Sequence, residues 1–374
     1  MKIKINQLKF KEGVGITERI SSRSSSLPIL KNIIIRAQKN IINISSTDLE
    51  TGIQWWAIAK TEKEGEVVVP ANILSGFINF LPDKNIELTT IKNDLIIECG
   101  SYKTQIKGFN SDDFPIIPEV AEKNSILINA KDLCKGLSQI SDIPSFSTTR
   151  PEISGIFFNF KKDRLKLVAT DSYRLGEKSL LLNKVIENDF SFILPQKAVK
   201  EIIGIFGEKD GDINIVLGAS QVLFELTMKE IIHPQIKFTS RIIEGEYPNY
   251  EEIIPAKNSI QAILNRNDLL NQIKAASLFS GKVNEVVLRI DPDKKEVEVL
   301  SQSPDSGEYS STLTGKITGK KESVSFNHRF LTDGLGNIKS SEIVFETNSG
   351  SEPGVFKPVG ESDFLYIVMP IRAN

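Results

Sequence analysis

The chain repeats itself three times, and this repetition constrains its fold more than any other feature of the sequence. A predicted strand leads into a predicted helix start at Pro70, again at Pro195 and again at Asn327. These positions lie roughly 130 residues apart, which is the spacing expected of similar structural units in tandem. The repeat therefore guides the interpretation of every motif that follows.

A hairpin with apolar residues at alternate positions on both arms recurs at the same spacing. Its copies run from 33 to 48, from 156 to 171 and from 287 to 305, and each ends in an aspartate. Alternation of this kind predicts strand pairs with one face toward a core. Two shorter echoes share the spacing: 130–133 with 266–269, and 113–115 with 246–248.

The repeat predicts three similar tandem domains, covering 1–123, 124–257 and 258–374. Their boundaries fall in polar stretches that follow the Phe-Pro and Tyr-Pro echoes, as linkers do. A length of 374 residues fits this division, because single domains cluster around roughly 100–200 residues. Each repeat contains a helix, several strands, a second short helix and more strands, so the predicted fold class is α+β. The second helices are expected near 71–81, 196–206 and 328–338.

Composition excludes several classes of protein. The chain is 40% hydrophobic and 25% charged, and no apolar run approaches the ~20 residues that cross a bilayer. The N-terminal segment has no signal-peptide pattern, so a cytoplasmic location without membrane contact is expected. The net charge of −2 argues against a protein that grips nucleic acid with its whole surface. It leaves open a basic inner surface balanced by carboxylates elsewhere.

The residues that usually build catalytic or metal sites are scarce. Cys99 and Cys134 are the only cysteines, and His233 and His328 are the only histidines. They are too far apart in sequence for a zinc motif or a disulfide framework, and small apolar filling is the ordinary role for such cysteines. No metal or other cofactor is predicted.

Short motif matches also fail to define an enzyme. The segment 315–320 lacks one residue and the final hydroxyl of a phosphate-binding loop, and it is better interpreted as a hairpin turn. Asp112 and Asp113 are adjacent, so on a strand they point to opposite faces and form no catalytic pair. The Gly-x-Gly pieces at 13–15 and 334–336 lack the third glycine of a dinucleotide fingerprint, and we interpret them as sites of backbone freedom.

Several segments, in order along the whole chain, resemble the DNA polymerase III beta subunit, the family of bacterial sliding clamps. They are 27–32 (LPILKN) with 47–50 (TDLE), 169–175 (ATDSYRL), 245–250 (GEYPNY) and 366–372 (YIVMPIR). The resemblance implies a DNA-clamp fold and a non-catalytic processivity factor. Two copies would join head to tail into a homodimeric ring around duplex DNA, with helices lining the hole and sheets outside.

The same resemblance implies partners and sites. The ring would be placed on DNA by a clamp loader and would tether the replicative polymerase and repair proteins through short linear peptides. Basic residues in or beside the predicted helices and loops are candidates for the DNA-facing surface. They are Lys9, Arg23, Lys131, Lys135, Arg150, Lys197, Lys200, Arg266, Lys274 and Arg329. Solvated surface charge is the alternative for these residues.

The peptide pocket of the family lies near the junction of the second and third domains. Matching positions are Ile153, Thr170, Ser172, Tyr173, Arg174, Leu175, Pro248, Ile253, Ile367, Met369, Pro370, Ile371 and Arg372. Leu175, Ile367 and Met369 are expected to form an adaptable apolar wall, with Arg174 and Arg372 as charged rims. Without the resemblance, 170–175 would be interpreted as a capped turn between strands.

Two further predictions concern assembly and the alternatives. Ile106 and Leu278 are candidates for the contact between subunits. The first alternative function is a clamp-like paralogue that keeps the fold as a binding module but is not loaded onto DNA. The second is a three-domain β-rich enzyme, such as a hydrolase, whose acidic residues converge only in space.

Overall fold

The computed structural model describes residues 1–21, 27–121 and 124–371. Within these residues each repeat contributes two α-helices, and the second helix of each repeat occurs where the sequence predicts it. We number the elements along the chain and use the term repeat for each third of it.

The first repeat contains two helices and nine strands. They are α1 Gln7–Ser21, α2 Ala71–Ile78, β1 Lys2–Asn6, β2 Asn32–Gln38, β3 Ile41–Thr47, β4 Thr51–Ile58, β5 Lys60–Lys63, β6 Gly65–Pro70, β7 Asn85–Ile91, β8 Asp94–Cys99 and β9 Tyr102–Ile106.

The second repeat contains two helices and eight strands. They are α3 Ala130–Ile140, α4 Gln196–Phe206, β10 Asn124–Asn129, β11 Gly155–Lys161, β12 Arg164–Thr170, β13 Arg174–Leu181, β14 Phe190–Pro195, β15 Asp212–Leu217, β16 Gln221–Thr227 and β17 Pro234–Arg241.

The third repeat contains two helices and nine strands. They are α5 Arg266–Ser277, α6 His328–Asn337, β18 Ile260–Asn265, β19 Glu285–Asp291, β20 Glu296–Ser303, β21 Gly307–Thr314, β22 Lys316–Thr318, β23 Glu322–Asn327, β24 Glu342–Thr347, β25 Gly354–Pro358 and β26 Phe364–Val368.

Two four-stranded sets recur in all three repeats, and β5 and β22 add an edge strand to the first and third repeats. One antiparallel set has the order β6-β2-β3-β4, β14-β11-β12-β13 or β23-β19-β20-β21. The other has the order β1-β7-β8-β9, β10-β15-β16-β17 or β18-β24-β25-β26. The structure therefore confirms the triplication inferred from the sequence.

Sets from successive repeats are joined by pairing of their last strands. In one sheet, β17 of the second repeat pairs with β4 of the first, with Ile236 opposite Trp55. In the other, β13 pairs with β26, with Leu175 opposite Ile367. Contacts consequently divide the chain into two compact units, residues 1–131 with 204–242 and residues 132–203 with 243–374.

After its last strand each repeat crosses back to the edge of its other set. The amide of Phe109 donates to the Val68 carbonyl at 2.9 Å, and Ile243 donates to Ile193 at the same distance. In the third repeat Ile371 donates to Ser325 at 2.8 Å. We call residues 107–121 the first crossing segment and residues 242–257 the second.

Aromatic residues of the neighbouring strands β11 and β14 fill part of the core. Phe158, Phe160 and Phe192 are buried and stack on one another, with the rings of Phe158 and Phe192 4.8 Å apart. Each fully buried phenylalanine stabilises the fold by roughly 1.5–3 kcal/mol relative to an exposed one. The alternation in the sequence places these rings on the inner face of the sheet.

Two glycines are required for close packing between a helix and an aromatic ring. A Cβ on Gly13 of α1 would overlap the indole of Trp55, and one on Gly334 of α6 would overlap the Tyr366 ring. The interpretation of both as sites of mere backbone freedom is therefore wrong. Gly15 and Gly336, their neighbours in the same motifs, have open space around them.

Alanine at the two glycines of α6 should have opposite effects on stability. Gly334→Ala should lower the free energy of unfolding by about 1–3 kcal/mol, because the added methyl group displaces the Tyr366 ring. Gly336→Ala should raise it by up to about 1 kcal/mol, because alanine favours the helix. Thermal unfolding followed by circular dichroism measures both. Equal shifts in the two variants would contradict the packing argument.

Candidate partner-binding site

A tight turn between β12 and β13 shapes one side of the candidate site. The Thr170 hydroxyl donates to the Arg174 carbonyl at 2.8 Å, and the Asp171 carboxylate accepts the amides of Tyr173 and Arg174 at 3.0 and 2.9 Å. Ser172 adopts a left-handed conformation with φ of 76°. Thr and Asp favour such turns because their short side chains bond to nearby amides.

The first repeat contains the same turn, which accounts for the recurrence of Thr-Asp in the sequence. The Thr47 hydroxyl donates to the Thr51 carbonyl at 2.7 Å, and Asp48 accepts the amide of Thr51 at 2.7 Å. Leu49 occupies the left-handed position with φ of 73°. The motif therefore has the same structural role in both repeats.

Arg174 ties the turn to α6 and to the end of α3. Its guanidinium donates to Asp171 at 3.0 Å, to Asp333 at 2.6 Å and to the Asp142 carbonyl at 3.2 Å. It also lies over the Phe330 ring, 4.8 Å from the ring centre. Burial opposes its charge, but Tyr366, Asp333 and Asp171 outweigh burial and raise the pKa of Arg174.

Arg174 therefore stabilises the turn and does not offer its charge to a ligand. Its side chain is only 10% exposed, so the expectation that it forms a charged rim for a peptide is wrong. A buried guanidinium with several acceptors costs much to disturb, because loss of one partner leaves an unpaired charge. This arrangement holds Tyr173 and Phe330 in fixed positions.

An apolar cavity of about 610 Å³ lies beside this turn. Five predicted residues and three others line it: Ser172, Tyr173, Met369, Pro370 and Ile371, with Val283, Asn327 and Phe330. The rings of Tyr173 and Phe330 stack at 6.3 Å and form an aromatic wall. A cavity of this size, mostly apolar with an amide and a hydroxyl at its edge, suits side chains of a short peptide.

The last strand and the residues after it close the cavity through backbone bonds. The amide of Met369 donates to the Tyr173 carbonyl at 2.8 Å, while Ile371 is held against β23 as described above. The Tyr366 hydroxyl donates to the Phe330 carbonyl at 2.8 Å. The position of Met369 and Ile371 is thus determined at both ends.

The other predicted pocket residues lie elsewhere. Leu175 and Ile367 belong to a buried cluster and are 2% and 1% exposed, so they do not form an open wall. Ile153 and Thr170 are also buried. Pro248 is half-buried and Ile253 is exposed on the second crossing segment, and Arg372 falls outside the described residues.

Sequence reasoning missed three residues that line the cavity. Asn327 belongs to the strand-to-helix landmark of the third repeat, and Phe330 lies in the helix that follows, but the sequence analysis assigns neither of them to the pocket. The Asn327 side chain caps α6 by accepting the amide of Arg329 at 3.0 Å. Val283 lies in a short 3-10 turn, Gly281–Val283, and is 63% exposed. The sequence around this valine contains no pattern that predicts a role in binding.

Most of the candidate DNA-facing cations that the structure describes lie on helices. Lys131 and Lys135 are exposed on α3, and Lys197 and Lys200 are exposed on α4. Lys274 on α5 and Arg329 on α6 are also exposed. Arg150 begins the 3-10 turn Pro151–Ile153, and Arg23 lies outside the described residues.

Carboxylates neutralise several of these cations. Lys131 pairs with Asp210 at 2.6 Å, Lys200 with Asp142 at 2.8 Å and Lys9 with Glu230 at 3.2 Å. Arg150 bonds to Glu152 and to Ser172. Arg266 is half-buried and caps the end of α6 through the Leu335 carbonyl. Within the described residues no ion pair includes Lys135, Lys274 or Arg329.

The two candidate subunit-contact residues differ in exposure. Leu278 follows α5 and is 74% exposed, whereas Ile106 ends β9 and is 4% exposed. The Ile106 side chain is therefore already part of the core, and only its backbone is free to contact a second copy.

No group of three or more His, Cys, Asp or Glu side chains among the described residues is arranged to hold a metal ion. None of the described helices is long and apolar enough to span a membrane.

The fold defines a triplicated protein of the clamp class, and comparison with known proteins gives its family. Three family models match in order: the N-terminal domain of the DNA polymerase III beta subunit at residues 1–118, its central domain at 127–249 and its C-terminal domain at 251–372. The chain therefore belongs to the DNA polymerase III beta subunit family, the bacterial sliding clamps.

Individual relatives agree with this assignment over the full length. The beta sliding clamps of Synechocystis sp. and Staphylococcus epidermidis are 26% and 28% identical, and each match covers 100% of this chain and 99% of the relative. The sliding clamp of Bacillus subtilis superposes with a TM-score of 0.92 at 25% identity, with both chains covered completely. A Pseudomonas aeruginosa clamp bound to griselimycin superposes with a TM-score of 0.93 at 22% identity.

Proposed function

We propose that two copies of this chain close into a ring around duplex DNA, and that the ring tethers replication and repair proteins to the DNA. The observation that carries this proposal is a missing sheet junction. Strand β17 of the second repeat pairs with β4 of the first, and β26 of the third repeat pairs with β13 of the second. The equivalent strands β9 and β21 are edges of their sheets within the described residues.

Pairing β9 of one copy with β21 of a second copy would complete the series. An unpaired edge strand is a template for association, and proteins normally protect or use it. Because β9 belongs to the first repeat and β21 to the third, each copy offers both edges. Head-to-tail pairing then closes with two copies, giving six repeats in a ring.

Helix ends support the same arrangement. Inside the chain, Arg19 near the end of α1 lies against Gly204 near the end of α4. The Gln139 side chain near the end of α3 donates to Asn337 at the end of α6, at 3.0 Å. The remaining pair would be α2 of one copy with α5 of the other.

Apolar side chains are exposed on or beside α2 and α5, the two helices of this remaining pair. Ile73 and Phe80 at α2 are 53% and 77% exposed, and Leu278 after α5 is 74% exposed. Phe279 stacks on Tyr309 of β21, which places the end of α5 beside the free edge. Exposed apolar groups of this kind are typical of an interface.

The helix cations suit loose contact with DNA. Tight phosphate contacts would add affinity that depends on salt and would resist sliding. Lys135, Lys274 and Arg329 offer charge on three different helices, while the pairing of Lys131 and Lys200 with carboxylates weakens the field. We propose that retention is topological, and that Arg150, Lys197 and Arg23 add to the inner surface.

The apolar cavity beside Tyr173 and Phe330 is our proposed site for partner peptides. The polymerase, a separate ATP-driven clamp loader and repair proteins would compete for it. A peptide that fills one such cavity binds at roughly micromolar affinity once ordering costs are counted. Griselimycin, which the Pseudomonas aeruginosa clamp binds, is a convenient probe for this site.

We also propose three further properties of the chain. The chain is a non-catalytic accessory subunit without a cofactor, acts in the cytoplasm and is divided into domains at about residues 123 and 257. Both alternatives, a paralogue that is not loaded and a β-rich hydrolase, predict no retention on DNA.

Retention on circular DNA tests the proposal directly. Clamp loaded onto a nicked plasmid by its own loader and ATP should elute with the DNA on gel filtration. It should be released when a restriction enzyme linearises the plasmid, because the ring slides off the ends. Raising salt should leave the circular complex intact, and release from circles by salt alone would contradict topological retention.

A further inference from the structure

The first crossing segment covers the outer face of the first repeat's β6-β2-β3-β4 set. Phe114 packs on Ile34 and Val68 in a buried cluster. Farther along, Ile117 lies over β4, where a Cβ on Gly52 would come within 2.8 Å of its Cγ2 atom. The first crossing segment, which contains phenylalanine and proline, thus packs over this face.

The second crossing segment covers the equivalent face in the second repeat. Tyr247 stacks on Phe157 with ring centres 4.7 Å apart and an interplanar angle of 3°. The Tyr250 hydroxyl donates to Glu177 at 2.7 Å. Both tyrosines pack against Val168 and its neighbours in the buried cluster that includes Leu175.

Strand register identifies the same positions in the third repeat. Phe157 pairs with Ile193 on β14 and with Val168 on β12. Val287 pairs with Ser325 on β23 and with Leu300 on β20. Ile193 and Ser325 are also the residues to which Ile243 and Ile371 donate. Val287 and Leu300 therefore occupy the places that Tyr247 and Tyr250 cover in the second repeat.

In the third repeat this face is open in the part of the chain that the structure describes. Val287 and Leu300 are half-buried and line a shallow cavity of about 630 Å³. The described chain reaches the edge of the face at Ile371 and does not extend over it. We call the surface around Val287 and Leu300, with Glu285, Glu308 and Tyr309, the open face.

The charge of the open face differs from that of the covered one. On the second repeat, Lys166 pairs with Glu251 of the crossing segment at 3.4 Å. The register places Glu298 at the corresponding position, opposite Arg289 as Lys166 is opposite Asn159. Arg289 is already paired with Glu298 at 2.9 Å. Among the described residues no salt bridge includes Glu285 or Glu308, so two carboxylates remain for an occupant.

We propose that the open face binds an extended segment of a partner protein, in which an aromatic residue followed by proline is flanked by lysines or arginines. The aromatic ring lies on Val287 and Leu300, as Tyr247 lies on Phe157. The basic residues form ion pairs with Glu285 and Glu308. An acidic segment like the one that covers the second repeat would be repelled by these carboxylates. This site is separate from the cavity beside Tyr173.

A matched pair of peptides tests the proposal. One copies residues 245–255 with a fluorescent label, and the other carries Glu246→Lys, Glu251→Lys and Glu252→Lys. Fluorescence anisotropy with the full chain should give the basic peptide a Kd on the order of tens of micromolar, in line with a small shallow site. The acidic peptide should bind at least about tenfold more weakly, because like charges repel.

Variants of the chain locate the binding. Leu300→Lys should abolish binding of the basic peptide. Glu285→Lys with Glu308→Lys changes only surface charge and should reverse the preference, so that the acidic peptide binds better. Phe330→Ala, which alters the other cavity, should leave both affinities unchanged.

Three results would overturn the proposal. Equal affinity for the two peptides would remove the charge argument. Undiminished binding to the folded Leu300→Lys variant would move the contact away from the open face. Loss of binding in Phe330→Ala would assign the peptide to the cavity beside Tyr173.

Discussion

Phe80→Asp should convert the dimer into a monomer while each subunit stays folded. Its side chain is 77% exposed in the protomer, so an aspartate there costs the subunit little. In the proposed ring it meets Leu278 of the second copy, and an unpaired carboxylate buried at that contact costs several kcal/mol. The dissociation constant of the dimer should rise at least about 100-fold, which sedimentation velocity over a concentration series will measure.

Two variants sharpen this test. Leu181→Asp places the same charge on an equally exposed side chain, 68% accessible at the end of β13, and should leave the dimer intact. Combining Phe80→Asp with Leu278→Lys should restore part of the affinity through a new ion pair. A fully dimeric Phe80→Asp variant at nanomolar concentration would place the interface elsewhere and favour the paralogue.

Removal of residues 369–374 should abolish peptide binding and leave dimerisation unchanged. The deletion takes away Met369, Pro370 and Ile371, which form one wall of the cavity. It leaves β26 and both free sheet edges in place, so the ring contacts remain. The probe is labelled griselimycin, the ligand of the Pseudomonas aeruginosa clamp, and its Kd is read by anisotropy.

A point substitution guards against local unfolding in that truncation. Phe330→Ala should weaken binding by at least about 30-fold, because buried aromatic anchors contribute roughly 2 kcal/mol or more at such sites. Phe109→Ala removes a ring that is 45% exposed on the first crossing segment and serves as the control. Unchanged affinity in both the truncation and Phe330→Ala would exclude the cavity as the peptide site.

The local architecture of this protein could be predicted well from sequence. Alternating apolar residues identified the hairpins, and the second helices begin at Ala71, Gln196 and His328 where the landmarks predicted them. These signals depend on residues close together in the chain, where period and turn chemistry act directly. The Thr-Asp motifs likewise predicted turns, because their hydrogen bonds span only four or five residues.

The candidate site was predicted less completely. Tyr173, Met369 and Ile371 line the cavity, yet Leu175 and Ile367 are packed beneath the surface and Arg174 is committed to Asp171 and Asp333. Residues on alternate sides of a strand look equally suitable in sequence, and only the packing decides which side is open. Phe330 was missed because its partner Tyr173 is far away in the chain.

The amino-acid sequence by itself determined the triplication, the α+β class and the family, since each depends on patterns that recur along the chain. Tertiary structure alone decided which sheets continue across repeats, which strand edges remain free and which equivalent face is left open. The reason is that each strand edge forms its hydrogen bonds with a strand more than a hundred residues away in the sequence. Pairing of this kind depends on which segments lie side by side in the folded protein, and local strand or helix propensity does not predict it.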